Sequence, residues 1–359
     1  MNTRNTTLDI MKGLGLLLII FEHCTPIGFE YKRWTMSFLM PMFFLLGGYL
    51  YRPNSNIWQD IKKSGKRLIL PYITGVAIMA LIHMFIWHDI TWLDGVKWLF
   101  SAAGVGTYCC RWLPNWSSVG AFWFFMALFW CRIIFNAVYV KAEKWKYPIL
   151  SLLAIGGYLL LRYVIRLPLG ISEGLSMMVF YLIGHLFRKA QEWYAQMAHP
   201  KQHLWGVIGT CSLLVVVVLW GWTLKNSEMV CSAGYYKHHL INIICACGIT
   251  YIYYWFCKGI AEHTSFTARL FTFAGYGSLF LLWIHKLSVH YLFVWPSMFN
   301  IQLPADSTTG IVIFLITQWI VCLLLLLIVE QSKVLSDFFG IYHPHLTTEP
   351  SIPLHTSKK

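Results

Sequence analysis

Residues 8–24 read LDIMKGLGLLLIIFEHC, a run that is apolar except for Asp9, Lys12, Glu22 and His23. An ionisable group in hydrocarbon costs about 2.5 to 3.5 kcal/mol on insertion scales, so such groups face a cavity or a partner. At about 100° per residue, Lys12 and His23 fall within about 20° of each other, and Asp9 lies about 60° from Lys12. One face of a single helix then carries Asp9, Lys12 and His23. The rise along that helix separates Lys12 from His23 by about 16 Å, which puts the two at opposite depths. A neutral imidazole in a poorly solvated site can take a proton from an attacking hydroxyl, so His23 is the candidate general base. Asp9 or Glu22 would orient or stabilise the imidazole, Glu22 less directly because it sits about 100° round the helix. The plain alternative is an Asp9–Lys12 pair at a helix start, with Glu22 and His23 at a boundary.

A second cluster, Lys62, Lys63, Lys66 and Arg67, stands directly before Leu68-Ile69-Leu70-Pro71-Tyr72. Loop topology alone accounts for such charge, and so does a role in binding the phosphates of a ligand. Arg166 and Glu173 either line a cleft for a second substrate or form a boundary salt bridge. His285 and Lys286 are ionisable within another apolar run, which makes His285 a further candidate lining residue. Arg132 is expected to snorkel to an interface, and His185 to be structural.

The elements that must hold these residues are membrane helices. The 359 residues are 57% hydrophobic and 12% charged, about half the charge of a soluble protein, which excludes disorder, secreted disulfide scaffolds and cytosolic nucleotide-binding enzymes. Windows of about 20 apolar residues predict ten spans, at 8–26, 34–51, 68–87, 119–140, 147–165, 171–187, 204–222, 240–256, 271–293 and 309–329. The net charge of +13 comes from clusters between these runs, so nucleic acid is not an expected partner. Alternate connections hold 17 and 7 of the Lys and Arg residues, and the richer set contains the N-terminus. Both termini are therefore expected in the cytoplasm. The fold class is an all-α, polytopic helical bundle, with a membrane domain over 1–335 and a short tail over 336–359.

The first span carries Asp9 and Lys12 within its run and lacks a small-x-small site after it, so it is read as part of the mature chain. Trp34, Trp87, Trp92, Trp98, Trp112, Trp116 and Trp295 sit near expected outer ends as an aromatic belt. The segment 92–104 is expected to lie flat on the membrane or dip into it. The ten cysteines show no metal-type spacing, no metal site is expected, and only Cys109, Cys110 and Cys231 fall where a disulfide is conceivable.

These residues resemble the membrane-bound acyltransferase 3 family, whose members move acyl groups onto carbohydrates and related acceptors at the bacterial envelope. The resemblance rests on a basic residue, ten positions, then histidine in the first helix, met here by Lys12 and His23. It extends to FFLLGGYLY (43–51), KRLILPYI (66–73), FWFFMALF (122–129), FYLIGHLF (180–187) and GSLFLLWIH (277–285). Two departures stand out: the family's frequent Arg-x-Arg is Gly65-Lys66-Arg67 here, and Lys12 replaces the commoner arginine. The charge persists while bidentate phosphate geometry is weakened.

The resemblance implies an O-acyltransferase, most simply an O-acetyltransferase, of the bacterial inner membrane. Its co-substrate would be cytoplasmic acyl-coenzyme A, with no permanently bound cofactor. Its acceptor would be a hydroxyl of an envelope carbohydrate or glycolipid. Lys12, Lys62, Lys63, Lys66 and Arg67 would bind the donor, with His23 as base. Trp123, Arg166, Glu173 and His285 would line the acceptor site. No appended hydrolase-like domain is expected, so the membrane domain or another protein would handle the acceptor. A covalent acyl-histidine remains open, whereas no Gly-x-Ser-x-Gly elbow or Cys/His pairing supports another nucleophile. The competing reading is a secondary transporter or flippase of a polar or carbohydrate substrate. It predicts inverted repeats and paired broken helices, of which the sequence shows only Gly47-Gly48 as an approach. A sensor or scaffold is a third class.

Overall fold

The computed structural model describes residues 5–24, 29–102, 118–197, 199–226, 229–263, 265–291 and 308–341. Among the described residues 88% are helical. Its helices are α1 (Thr6–Cys24), α2 (Phe29–Met36), α3 (Leu39–Tyr49), α4 (Ile57–Trp87), α5 (Trp92–Ser101), α6 (Gly120–Lys141) and α7 (Glu143–Val164). They continue with α8 (Pro168–Ala195), α9 (His199–Asn226), α10 (His239–His263), α11 (Ser265–Tyr276), α12 (Ser278–Tyr291), α13 (Thr308–Gln331) and α14 (Lys333–Phe339). Two strands, β1 (Met229–Val230) and β2 (Tyr235–Tyr236), pair antiparallel before α10.

Within the described residues each apolar window of the sequence falls largely on helix. Among the described residues six helices are long and apolar enough to cross a membrane, or eight if each of two bent pairs is one span. The chain is thus an all-α, polytopic membrane protein. Three windows differ from simple spans. The first, α1, carries Asp9, Lys12 and Glu22, too much charge for a helix that faces lipid. The second is interrupted at Ser37 and Phe38, leaving α3 with 11 residues. The ninth bends by 77° at Gly277, between α11 and α12. A broken helix is therefore present where the sequence showed none, and a Cβ at Gly277 would run into Leu326 of α13.

Local chemistry sets several boundaries. Helix α4 begins 11 residues before its apolar window because Asn56 caps it, accepting from the Gln59 amide at 2.9 Å. Its first turns are amphipathic, with Asp60 and Ser64 buried and Trp58, Lys62 and Lys63 outside. Pro71 has no N–H to give to the preceding turn, and Gly65–Ile69 widens into a π-type turn there. Helix α5, the expected surface segment, is started by a reciprocal Thr91–Asp94 capping box. The Thr91 hydroxyl, helped by Lys97, holds the Asp94 carboxyl down at about 2. Tyr72 donates to the carbonyls of Trp98 (3.1 Å) and Leu99 (3.0 Å), which ties α5 to α4.

Trp34, Trp87 and Trp92 are exposed as a belt requires, Trp98 is buried, and Trp112, Trp116 and Trp295 lie outside the described residues. Cys231 is a buried free thiol, and Cys109 and Cys110 lie outside the described residues. The chain through Ile341 packs onto the body: α14 turns back by 117° from α13, and Phe339 meets Phe280 (4.9 Å) and Trp283 (5.2 Å). Positions 342–359 of the tail lie outside the described residues.

Two helices act as hubs. Helix α1 touches α2, α3, α10, α11, α12 and α13. It crosses α11 backbone to backbone, since a Cβ on Gly13 would overlap the Phe271 carbonyl and one on Gly275 the Asp9 carbonyl. Helix α8 is held likewise between α3, α6 and α7; side chains at Gly48 and Gly184 would overlap the carbonyls of Tyr181 and Leu45.

This packing predicts that Gly275→Ala costs about 1 to 3 kcal/mol, the usual range for overpacking. Gly156→Ala, where a Cβ meets nothing within 4 Å, should leave stability unchanged or slightly raised. Thermal unfolding of the detergent-purified variants checks the pair.

Candidate functional site

The enclosure of α1 positions the ionisable face. At the end held by the Gly13–Gly275 crossing, Lys12 Nζ lies 2.7 Å from Asp9 Oδ1, with Asp9 buried and Lys12 partly exposed. Tyr253 of α10 donates to the Met11 carbonyl at 3.3 Å and pins the same turn. Asp9 is about 21 Å along the helix from His23. That distance corrects the expectation that Asp9 orients the imidazole: its carboxylate compensates the lysine instead.

At the other end His23 is exposed, and its ring packs on the ring of His285, with centroids 5.4 Å apart and planes 31° apart. His285 is fully buried, and its Nδ1 lies 3.2 Å from the Leu281 carbonyl. Glu22 is buried and accepts from the Thr35 hydroxyl at 3.1 Å, which fastens α1 to α2. The structure thus joins His23 to His285, a pairing that the sequence treated as two separate candidates. No spacing rule signals it, because the residues are far apart in the chain.

The cationic cluster divides between two turns of α4. Lys62 and Lys63 stand outside on the amphipathic turn, with Lys62 Nζ 5.5 Å from the Trp58 ring centroid. Lys66 and Arg67 are exposed on the wide turn. Arg67 lies against Gly340, which ends α14 in a left-handed conformation; a Cβ there would come 2.9 Å from Arg67 Nε. The C-terminal segment therefore borders the cationic turn.

Of the expected acceptor-lining residues, His285 meets His23, Arg166 and Glu173 meet each other, and Trp123 lies among aromatic rings. Arg166 Nε and Glu173 Oε1 form a 2.9 Å ion pair with 6% and 0% side-chain exposure, and Arg166 Nη2 donates to the Ser232 carbonyl at 2.6 Å. The expected salt bridge at the start of this span is thus present and buried, and with Ser232 it staples the turn before α8 to the loop between β1 and β2. Trp123 is buried in aromatic packing, stacked on Phe44 with centroids 6.4 Å apart.

Some polar contacts were not foreseen. Arg132 meets buried Asp60 through Nη2 at 2.7 Å, so it is paired across α4 and α6 instead of simply snorkelling. Fully buried Asn136 accepts from the Tyr51 hydroxyl at 2.6 Å and bonds both the amide and the carbonyl of Asn54. The signals were an acid on the inner side of an amphipathic turn and an asparagine within an apolar run.

Breaking the Arg166–Glu173 pair by Glu173→Gln should cost about 3 to 5 kcal/mol, the range for stranding one partner of a buried pair. The double variant Arg166→Met/Glu173→Leu should recover most of that loss. Chemical unfolding of the purified proteins separates the two outcomes.

A family model described as an acyltransferase domain matches residues 5–329. Searches among curated proteins and among solved structures find no match. The matched stretch runs from just before α1 to the last turn of α13, and the chain belongs to the acyltransferase 3 family.

Proposed function

We propose that this membrane acyltransferase moves an acyl group, most simply acetyl, from cytoplasmic acyl-coenzyme A to a hydroxyl of an envelope carbohydrate or glycolipid. In this reading it sits in the bacterial inner membrane with ten spans and both termini in the cytoplasm, as the distribution of Lys and Arg favours. The observation that carries it is α1: one enclosed helix holds a compensated lysine at one depth and an exposed imidazole at the other. The phosphates of the donor meet Lys62, Lys63, Lys66 and Arg67, and the pantetheine arm runs past Lys12 toward His23.

At His23 the unprotonated ring nitrogen removes the proton from the acceptor hydroxyl as its oxygen attacks the thioester carbonyl. The carbon–sulfur bond then breaks, and the coenzyme thiolate takes the proton back from the imidazolium. His23 returns to its neutral form, and the acyl group has moved from sulfur to oxygen. A general base of this kind contributes typically about 10²- to 10⁴-fold.

One observation favours the rival. The 77° break at Gly277 is of the kind that transporters use to build binding sites from half-helices.

Membranes carrying wild type, His23→Ala or Lys12→Ala are supplied with radiolabelled acetyl-coenzyme A, and label in envelope carbohydrate is counted. His23→Ala should lower transfer by at least about 100-fold, and Lys12→Ala should lower it as well. Unchanged labelling in both, at equal protein levels, would overturn the assignment. Solute uptake into proteoliposomes without any acylated product would establish the transporter instead.

A further inference from the structure

We propose that His285 is the positioning residue for His23, fixing the ring and the tautomer with which His23 acts as base; this rests on the reading of His23 just given. The bend at Gly277 makes the meeting possible. Helix α11 lies against the Lys12 end of α1 through the Gly13–Gly275 crossing. After the 77° turn, α12 carries His285 to the His23 end. The broken helix thus brackets both ends of the ionisable face, which gives the break a role in acyl transfer.

Helix α12 is fastened on both sides of His285. Two residues earlier, Trp283 Nε1 donates to the Pro71 carbonyl at 2.9 Å, within the turn that follows Arg67. One residue later, Lys286 lies against Gly120 at the start of α6. That glycine has φ +55°, and a Cβ there would come 2.6 Å from Lys286 Nζ. His285 itself is fully buried, with its Nδ1 at the Leu281 carbonyl.

The tautomer follows from its partner. A carbonyl oxygen only accepts, so Nδ1 carries the hydrogen that goes to Leu281. In the neutral imidazole the lone pair is then on Nε2, and His285 offers His23 an acceptor. An N–H of His23 turned to that acceptor leaves the lone pair of its other nitrogen for the hydroxyl. His23 is exposed while packed on His285, so a buried ring holds one side and the acceptor can approach the other. An orienting partner that fixes the tautomer of a catalytic imidazole is a recurrent arrangement.

The test measures transfer kinetics of the purified full chain in liposomes, with acetyl-coenzyme A as donor, for His285→Phe, His285→Gln, His23→Ala and the double variant His23→Ala/His285→Phe. The shape-preserving His285→Phe should lower kcat by about 10- to 100-fold, with KM for acetyl-coenzyme A little changed. His285→Gln, whose amide oxygen can accept near the Nε2 position, should regain most of that loss. In the His23→Ala background His285→Phe should cost nothing further, because there is no ring left to position. If His285→Phe does not accumulate as folded protein, His285→Leu carries the same expectation.

Wild-type kcat in the Phe or Leu variant would overturn the inference. So would an equal loss in the presence and absence of His23, which is what a purely structural role gives. Should His23→Ala alone keep wild-type transfer, the assignment of His23 falls and this inference falls with it. A failure confined to His285 leaves that assignment standing.

Discussion

A helix that carries Asp9, Lys12, Glu22 and His23 cannot lie against hydrocarbon, and most of the architecture follows from that constraint. The other helices have to surround α1, and six of them do. Surrounding it closely requires glycine at the crossing with α11, where backbone meets backbone. Each ionisable group then has its compensation: Asp9 for Lys12, Thr35 for Glu22, and a ring contact with His285 for His23. The separation between Lys12 and His23 comes directly from the helical rise over the positions between them.

Much of this was legible in the chain. Within the described residues the apolar windows largely mark helix, because a long run without polar interruption has few other ways to satisfy its backbone in lipid. The charges within the first run mark the hub for the same reason. What the sequence concealed lies in tertiary geometry. The bend falls at Gly277-Ser278, a pair that permits a kink but does not by itself require one, inside a window read as a single span, and Leu326 packs against that glycine. The apolar window also missed the first turns of α4, since Lys62 and Lys63 disguise an amphipathic helix as a loop. Asp60 faces inward there and finds Arg132 on α6.

The candidate site shows the same division. Lys12 and His23 stand on one continuous helix, so the rise between them follows from their spacing alone. Roles that needed contacts fared differently. Asp9 is too far along α1 to reach His23, and Glu22 spends its buried carboxylate on α2. Arg166 and Glu173 are locked to each other, with Arg166 also held by Ser232. The surroundings of His23 are built from α12, whose position is set by Trp283 on Pro71 and by Lys286 on Gly120. Pro71, four residues after Arg67, thus touches the helix that bears His285.

The central claim is that one path through the protein lets a donor bound at the cationic turn reach the imidazole at the far end of α1. A structure of the protein with a non-hydrolysable acyl-coenzyme A analogue tests this most directly. The account predicts phosphates at Lys66 and Arg67, the pantetheine arm beside Lys12, and the acyl carbonyl within reach of a hydroxyl hydrogen-bonded to His23. An analogue seated with its carbonyl on the Lys12 side and closed packing between it and His23 would contradict it.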